Sequence, residues 1–469
     1  MGDPASPLAS LAAAAGLCVD WTDGAGEHKR VAPDSLRAVL AALGWPAADD
    51  RQSRESLRAL RDAETQATPT LLTADAGQPI AAGGTPGARY QLRLAGGAVS
   101  DGRFDAEGRV AGVDAAGYHQ LEWRERVTTL AVAPPTCFGM AEACGEPDPR
   151  RWGVGLQVYS ARDAEDGGVG DASGALAWVE RLAKAGGDAL ALSPLHAARL
   201  DASHASPYSP GDRRFLDPVH AAPALVTGAA FADAAREAAG ISARFDTLSA
   251  SALVDWSGVR QARWDWLRAL HARRAELPVA LQADLATFVR ERGPSLQHYA
   301  RVAAGELEGE AGEDGASLQR FAQWLAARSW SAVQARAQAA GMRPGLIADL
   351  AVGFDPGGSE ARAWPDAVLR GLTLGAPPDA FDAGGQAWGI GSYAPAGLRR
   401  HGFAPFLELL RAVMRDRGGV RIDHILGLMR LWVVPDGAGS DAGVYLRQPF
   451  DDLLRLLVLE SRQQRAVIV

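Results

Sequence analysis

Aliphatic runs recur through the last two-thirds of the chain, and they restrict what it can fold into. They are Trp152–Tyr159, Asp188–Leu195, Gly345–Val352 and Gly418–His424, and another begins at Ala466-Val-Ile-Val469. Helical stretches fall between them, over roughly 175–185 and near Phe450–Glu460. Strand, helix and strand in alternation predict a parallel sheet or barrel. Gly168-x-Gly-x-x-x-Gly174, in the first of these connections, misses the dinucleotide-binding spacing by one residue.

The densest stretch is Gly418-Gly-Val-Arg-Ile-Asp-His-Ile-Leu-Gly-Leu428. Arg421 and Asp423 sit two apart, so on a strand they share one face. An arginine beside an aspartate favours the charged carboxylate and lowers its pKa, which suits a nucleophile and not a proton donor. The strand breaks off at Asp423-His424, which puts both side chains at its carboxyl end, where barrel enzymes carry their chemistry. An Arg–Asp pair that merely closes a strand explains these residues equally well, so the remainder of the chain must decide.

A length of 469 residues allows two or three domains. The net charge of −8 gives no footprint for nucleic acid, and no apolar run reaches membrane-spanning length. Cys18, Cys137 and Cys144 are odd in number and lack metal-ligand spacing, which fits a reducing cytoplasm. No metal site or cofactor is expected. The 13 tryptophans suit a core and also the apolar faces of sugars.

Taken in order, residues 1–65 read as a small helical domain, with a helix opening on Asp34 and stopping at Gly44. Residues 66–136 alternate in short runs punctuated by Gly and Pro, the pattern of a small antiparallel β-domain with Tyr118 and Trp123 in its core. A linker at 137–150 leads into 151–469, which holds the strand–helix alternation and a largely helical insertion at 196–345. Ser206-Pro-Tyr-Ser-Pro210 opens that insertion and presents Tyr208. Gly375–Gly389 mixes rigid prolines with glycines and two aromatics, Phe381 and Trp388, and reads as a flap over a ligand site.

Five of these motifs, in this order, resemble the amylomaltases, the 4-α-glucanotransferases of glycoside hydrolase family 77. They are Arg151-Trp-Gly-Val-Gly, Gly168-Val-Gly-Asp171, Ser206-Pro-Tyr-Ser, Ala376-Pro-Pro-Asp-Ala-Phe with Gly385-Gln-Ala-Trp-Gly, and Arg421-Ile-Asp-His with Gly427. The N-terminal segments resemble those of the longer bacterial members. The resemblance implies a multidomain protein built on an α/β TIM (β/α)8 barrel, acting on α-1,4-glucans and maltooligosaccharides by retaining double displacement. It implies Asp423 as nucleophile, Arg421 as the residue that orients and ionises it, and His424 as a hydrogen-bonding partner of the donor sugar. Asp349 and Tyr208 would line the donor subsite, and Phe381, Gln386 and Trp388 would belong to the loop that holds the acceptor.

One departure accompanies the resemblance. The family's acid/base glutamate follows the fifth barrel strand, and 469 residues end before it. The chain is therefore expected to form about five strands of the barrel and to be inactive alone, with a non-catalytic glucan-binding protein as the alternative. Glu460, on the preceding helix, is a poor substitute.

Overall fold

The computed structural model describes residues 6–24, 26–163, 166–200, 206–307, 311–380 and 382–469. It falls into two compact units, each drawn from separated stretches of chain. One contains Phe138–Ala363, Arg411–Asp423 and Gln464–Val469, and the other contains the residues up to Cys137 with Trp364–Leu410 and His424–Gln463.

The first unit is organised on an all-parallel sheet whose strands lie in chain order: β1 (Gly153–Leu156), β2 (Ala189–Leu192), β3 (Gly345–Leu350), β4 (Gly419–Ile422) and β5 (Val467–Ile468). Leu190, Leu346 and Val420 are fully buried, the behaviour of strands covered on both faces. The helix Ala172–Lys184 connects β1 to β2, and its Asp171 cap accepts from the Ser173 N–H at 2.8 Å. Close packing dictates Gly418 at the entrance to β4, because a Cβ there would stand 1.7 Å from the Pro344 carbonyl oxygen.

The insertion between β2 and β3 begins as a short antiparallel pair, His196–Ala197 with Asp212–Leu216, and is otherwise helical. Its longest helices are Val279–Glu306, kinked at Gly293-Pro294, and Glu313–Ala339. Trp264, Trp266 and Trp324 form its core, with Trp256 packed at the edge. Here the tryptophans serve packing.

In the second unit, helices Pro7–Ala14, Pro33–Ala42 and Asp50–Gln66 precede the β-rich segment. The Pro33–Ala42 helix has Ala32 as its cap and Pro33 in its first turn, so Asp34 sits inside the helix and makes no cap hydrogen bond. The next sheet, in the order Leu71–Asp75, Arg126–Ala133, Gly117–Trp123, Arg89–Arg93 and Val99–Arg103, is antiparallel apart from its first pair. Those two strands run parallel, because the chain makes a crossover through the other strands before pairing Arg126–Ala133 with Leu71–Asp75. Trp123 packs edge-on to Phe104 at 5.0 Å, at the margin of this sheet's core. Tyr118 does not enter the core. It is half-buried and donates its hydroxyl to Glu460 Oε1 at 2.5 Å.

The same unit holds a four-stranded antiparallel sheet in the order Gln386–Ala387, Leu372–Ala376, Arg430–Pro435 and Val444–Arg447. The stretch read as a flap thus begins in the strand Leu372–Ala376 and includes a second strand, Gln386–Ala387, paired with it. Helix Phe450–Gln464 follows. No helix among the described residues is long and apolar enough to cross a membrane.

Candidate active site

Strand register brings the candidate carboxylates to one arginine. Asp349 on β3 pairs directly with Arg421 on β4, and Asp423 follows two residues later. Arg421 donates one guanidinium N–H to Asp349 Oδ1 at 2.7 Å and another to Asp423 Oδ1 at 2.8 Å. Tyr208, from the start of the insertion, donates its hydroxyl to Asp349 Oδ2 at 3.0 Å. Both Asp349 oxygens are therefore engaged, and Tyr208, Asp349, Arg421 and Asp423 form a continuous hydrogen-bonded chain. Asp423 continues the sheet pattern through its N–H, which donates to the Leu350 carbonyl at 3.1 Å.

Depth separates the two carboxylates. The Asp349 side chain is 6% exposed, against 24% for Asp423 and 45% for Arg421. Burial pushes the Asp349 carboxyl above its ordinary value, and the hydrogen bonds from Arg421 and Tyr208 only partly restrain it. The Tyr208 phenol is pushed up to about 12, chiefly by burial and then by the negative Asp349. Asp349 raises the Arg421 guanidinium further through its hydrogen bond, so that side chain stays charged. The group can hold a carboxylate at fixed orientation beside a permanent cation, with the Arg421 hydrogen bond made to Asp423 Oδ1.

The remaining candidates lie in the other unit. His424, the residue after Asp423, has φ +50°, an uncommon backbone for a side chain of this size. Its ring meets Trp388 edge-on at 5.7 Å between centroids. Trp388 donates its indole N–H to Gln386 Oε1 at 2.8 Å, so the short strand Gln386–Ala387 positions Trp388 and Gln386 together. Gln386 is exposed and Trp388 half-buried. Phe381 lies outside the described residues. Among those residues, no cluster of three or more His, Cys, Asp or Glu could hold a metal ion.

The sequence matches the family described as 4-alpha-glucanotransferase, glycoside hydrolase family 77, over residues 156–312 and 302–469. The 4-alpha-glucanotransferase of Mycobacterium tuberculosis is 30% identical, with 100% of this chain aligned to 72% of the relative. This chain belongs to the 4-alpha-glucanotransferase family. The enzyme of that name from Haemophilus influenzae is 28% identical over 75% of this chain and 56% of its own. Among solved structures, the amylomaltase of Corynebacterium glutamicum superposes with a TM-score of 0.85 at 28% identity, covering 98% of this chain and 71% of that one. The amylomaltase of Streptococcus agalactiae, solved with acarbose, is 17% identical with a TM-score of 0.57 over 68% of each chain, a likeness of fold alone.

Behind the group on this 4-alpha-glucanotransferase chain stands a buried support that the sequence reading missed. His196 Nε2 accepts from the Ala351 N–H at 3.2 Å, and burial together with the nearby Arg213 lowers its pKa to about 4, so it is neutral. Arg213 donates to the carbonyls of Ala351 and Val352 at 3.1 Å each, which holds the chain just beyond β3 in place. Glu360 accepts from Arg213 in turn, and both side chains are at most 5% exposed. The available signal was Asp212-Arg213-Arg214, three consecutive charges on a strand, of which at least one must point inward.

Proposed function

We propose that this chain carries the glycosyl-accepting half of a retaining 4-α-glucanotransferase acting on α-1,4-glucans and maltooligosaccharides. The observation that carries this reading is the Arg421 bridge, which holds Asp423 beside a cation at the end of a parallel strand. In this reading β1–β5 belong to a (β/α)8 barrel. Asp423 attacks the anomeric carbon, the glycosidic C–O bond breaks, and a β-glucosyl-enzyme forms. Arg421 orients Asp423 through its hydrogen bond and sets a permanent cation beside it. Asp349 fixes Arg421 from behind and, with Tyr208, lines the donor subsite. His424 hydrogen-bonds the donor sugar, while Gln386, Trp388 and Phe381 receive the acceptor, whose hydroxyl replaces water in the second step.

The leaving oxygen needs a proton, and a retaining pair places the second carboxyl roughly 5–5.5 Å from the nucleophile. Asp349 has both oxygens bound, and Glu460 is fully buried against Tyr118, so neither is set as that donor. Without a general acid, turnover on natural glucans falls by about 10²–10⁴-fold. With neither Asp349 nor Glu460 in that role, the described residues are expected to bind glucans without measurable disproportionation. A fluoride leaving group needs no proton, and this permits a direct test.

The 469-residue protein is incubated with α-maltosyl fluoride, and the product is followed by intact mass and peptide mapping. A covalent glycosyl adduct on Asp423 is expected, absent in Asp423→Asn although that variant still binds maltotriose. Maltotriose binding with no adduct in the parent would assign a non-catalytic glucan-binding role instead.

A further inference from the structure

A cavity of about 40 Å³ lies where Ala348 and Phe215 face Ala412, Val413 and the turn Arg415–Arg417. That is room for on the order of three waters or one small tetrahedral ion. Arg213 and Arg214 reach its wall but are bound to Glu360 and Asp212. Three further arginines, Arg292, Arg415 and Arg417, also line it, and among the described residues none of them makes an ion pair. Arg292 rests on the Phe288 ring, and Arg417 on the Trp330 ring with one N–H donated to the Asp416 carbonyl. Of the lining carboxylates, Asp349 is bound to Arg421 and Tyr208, while Asp416 accepts from the Ser331 hydroxyl at 2.7 Å and its charge acts on Arg292 and Arg417 without an ion pair to either.

Guanidinium groups stay charged, and withdrawing them from water without a counter-charge is costly. Arg417 is 9% exposed while Arg415 is exposed at the surface, so the positive lining runs from solvent to the interior. Burial lowers both Arg292 and Arg417 to about 10, in Arg292 with the help of the like-charged Arg415, and the nearby Asp416 charge only partly opposes it in each. The wall thus carries the guanidinium groups of Arg292, Arg415 and Arg417 against one nearby carboxylate of the lining, Asp416, which is exposed.

We propose that this cavity binds a tetrahedral oxyanion of the phosphate class, either free phosphate or the phosphate ester of a sugar. Forked guanidinium donors match such oxygens two at a time. A bound oxyanion joins helix Val279–Glu306 and helix Glu313–Ala339 to the turn that leads into β4. Occupancy therefore steadies the strand that carries Arg421, and the anion acts as a stabilising effector rather than as substrate.

The test is calorimetric titration of inorganic phosphate into the 469-residue protein at constant ionic strength balanced with chloride, alongside thermal unfolding. Saturable binding and a phosphate-dependent rise in melting temperature are expected. Arg292→Gln and Arg415→Gln should each weaken binding by about tenfold, the loss of one charge-assisted hydrogen bond. Arg58→Gln, at an exposed arginine on helix Asp50–Gln66, should leave binding unchanged. Glucose 1-phosphate in place of phosphate separates the two sources: tighter binding identifies the ester, equal or weaker binding the free anion. No saturable binding by the parent, or equal binding by parent and both cavity variants, would overturn the proposal. Circular dichroism of the variants excludes unfolding as the cause of a loss, and Arg415, being exposed, is the position best able to tolerate the change.

Discussion

Replacing Arg421 with glutamine separates its electrostatic duty from its shape. The change removes the counter-charge from Asp349, whose carboxyl is 6% exposed, and leaves only the Tyr208 hydroxyl on it. The carboxylate can then remain charged in a poor environment or take up a proton. With an ordinary value near 3.8, protonation at pH 7 costs at most about 4.4 kcal/mol, a ceiling on the damage. Arg421 is 45% exposed, so solvent already screens part of the pair and the full buried-pair figure does not apply. We expect a loss of about 2–3 kcal/mol at pH 7, or roughly 5–10 °C in melting temperature for a unit of this size.

The pH dependence gives the sharper signature. Asp349 in the parent already titrates above its ordinary value, so its contribution to stability is largest below about pH 4 and declines as pH rises. The variant raises the folded-state value further and loses more over the same range. The gap between parent and variant should accordingly be smaller at pH 5 than at pH 7. Thermal unfolding of both proteins at pH 5, 6 and 7, read by tryptophan fluorescence, measures it. Equal destabilisation at pH 5 and pH 7 would mean that Arg421 does not compensate a buried carboxylate, and the electrostatic account of the bridge would fail.

Glu360→Gln should destabilise by about 3–5 kcal/mol, because it leaves Arg213 charged and buried without its partner. In the parent, burial pulls Glu360 up but the charge and hydrogen bonds of Arg213 hold it below the ordinary range, so the same contribution should fade from the parent at acid pH. Chemical denaturation at neutral and acid pH checks both statements. Trp388→Ala should weaken maltooligosaccharide binding by about 1 kcal/mol, roughly fivefold, without changing labelling of Asp423 at saturating α-maltosyl fluoride. Unchanged affinity would return Trp388 to a packing role against His424.

Local sequence determined the parallel strands. Runs such as Leu346-Ile-Ala and Val420 with Ile422 are apolar and bounded by glycine, and burial on both faces leaves them few alternatives. The sharing of a face by Arg421 and Asp423 also follows from the two-residue period of a strand. Local sequence was silent on pairings across long separations. Nothing within a few residues of Asp349 states that Arg421, 72 positions later, lies opposite it in register, or that Tyr208 caps its second oxygen. The four-stranded sheet was hidden for a related reason. Leu372–Ala376 and Gln386–Ala387 are short and lie among prolines and glycines, so they read as loop until Arg430–Pro435 supplies the partner for their ladder.

The same reason applies to the buried arginines. Sequence shows that the chain is rich in arginine but not which guanidinium finds a carboxylate. Arg213 does, in Glu360 147 residues away, whereas Arg292 and Arg417 line a cavity without an ion pair among the described residues. Whether a buried charge is compensated is a property of the three-dimensional neighbourhood, since its energy depends on distance and dielectric rather than on order along the chain. Strand positions and the face-sharing pair were decided by sequence, because short-range sterics and periodic burial suffice for them. The depth of Asp349, the bridge through Arg421 and the positively lined cavity were decided by tertiary structure, because each requires groups far apart in the chain to meet out of water.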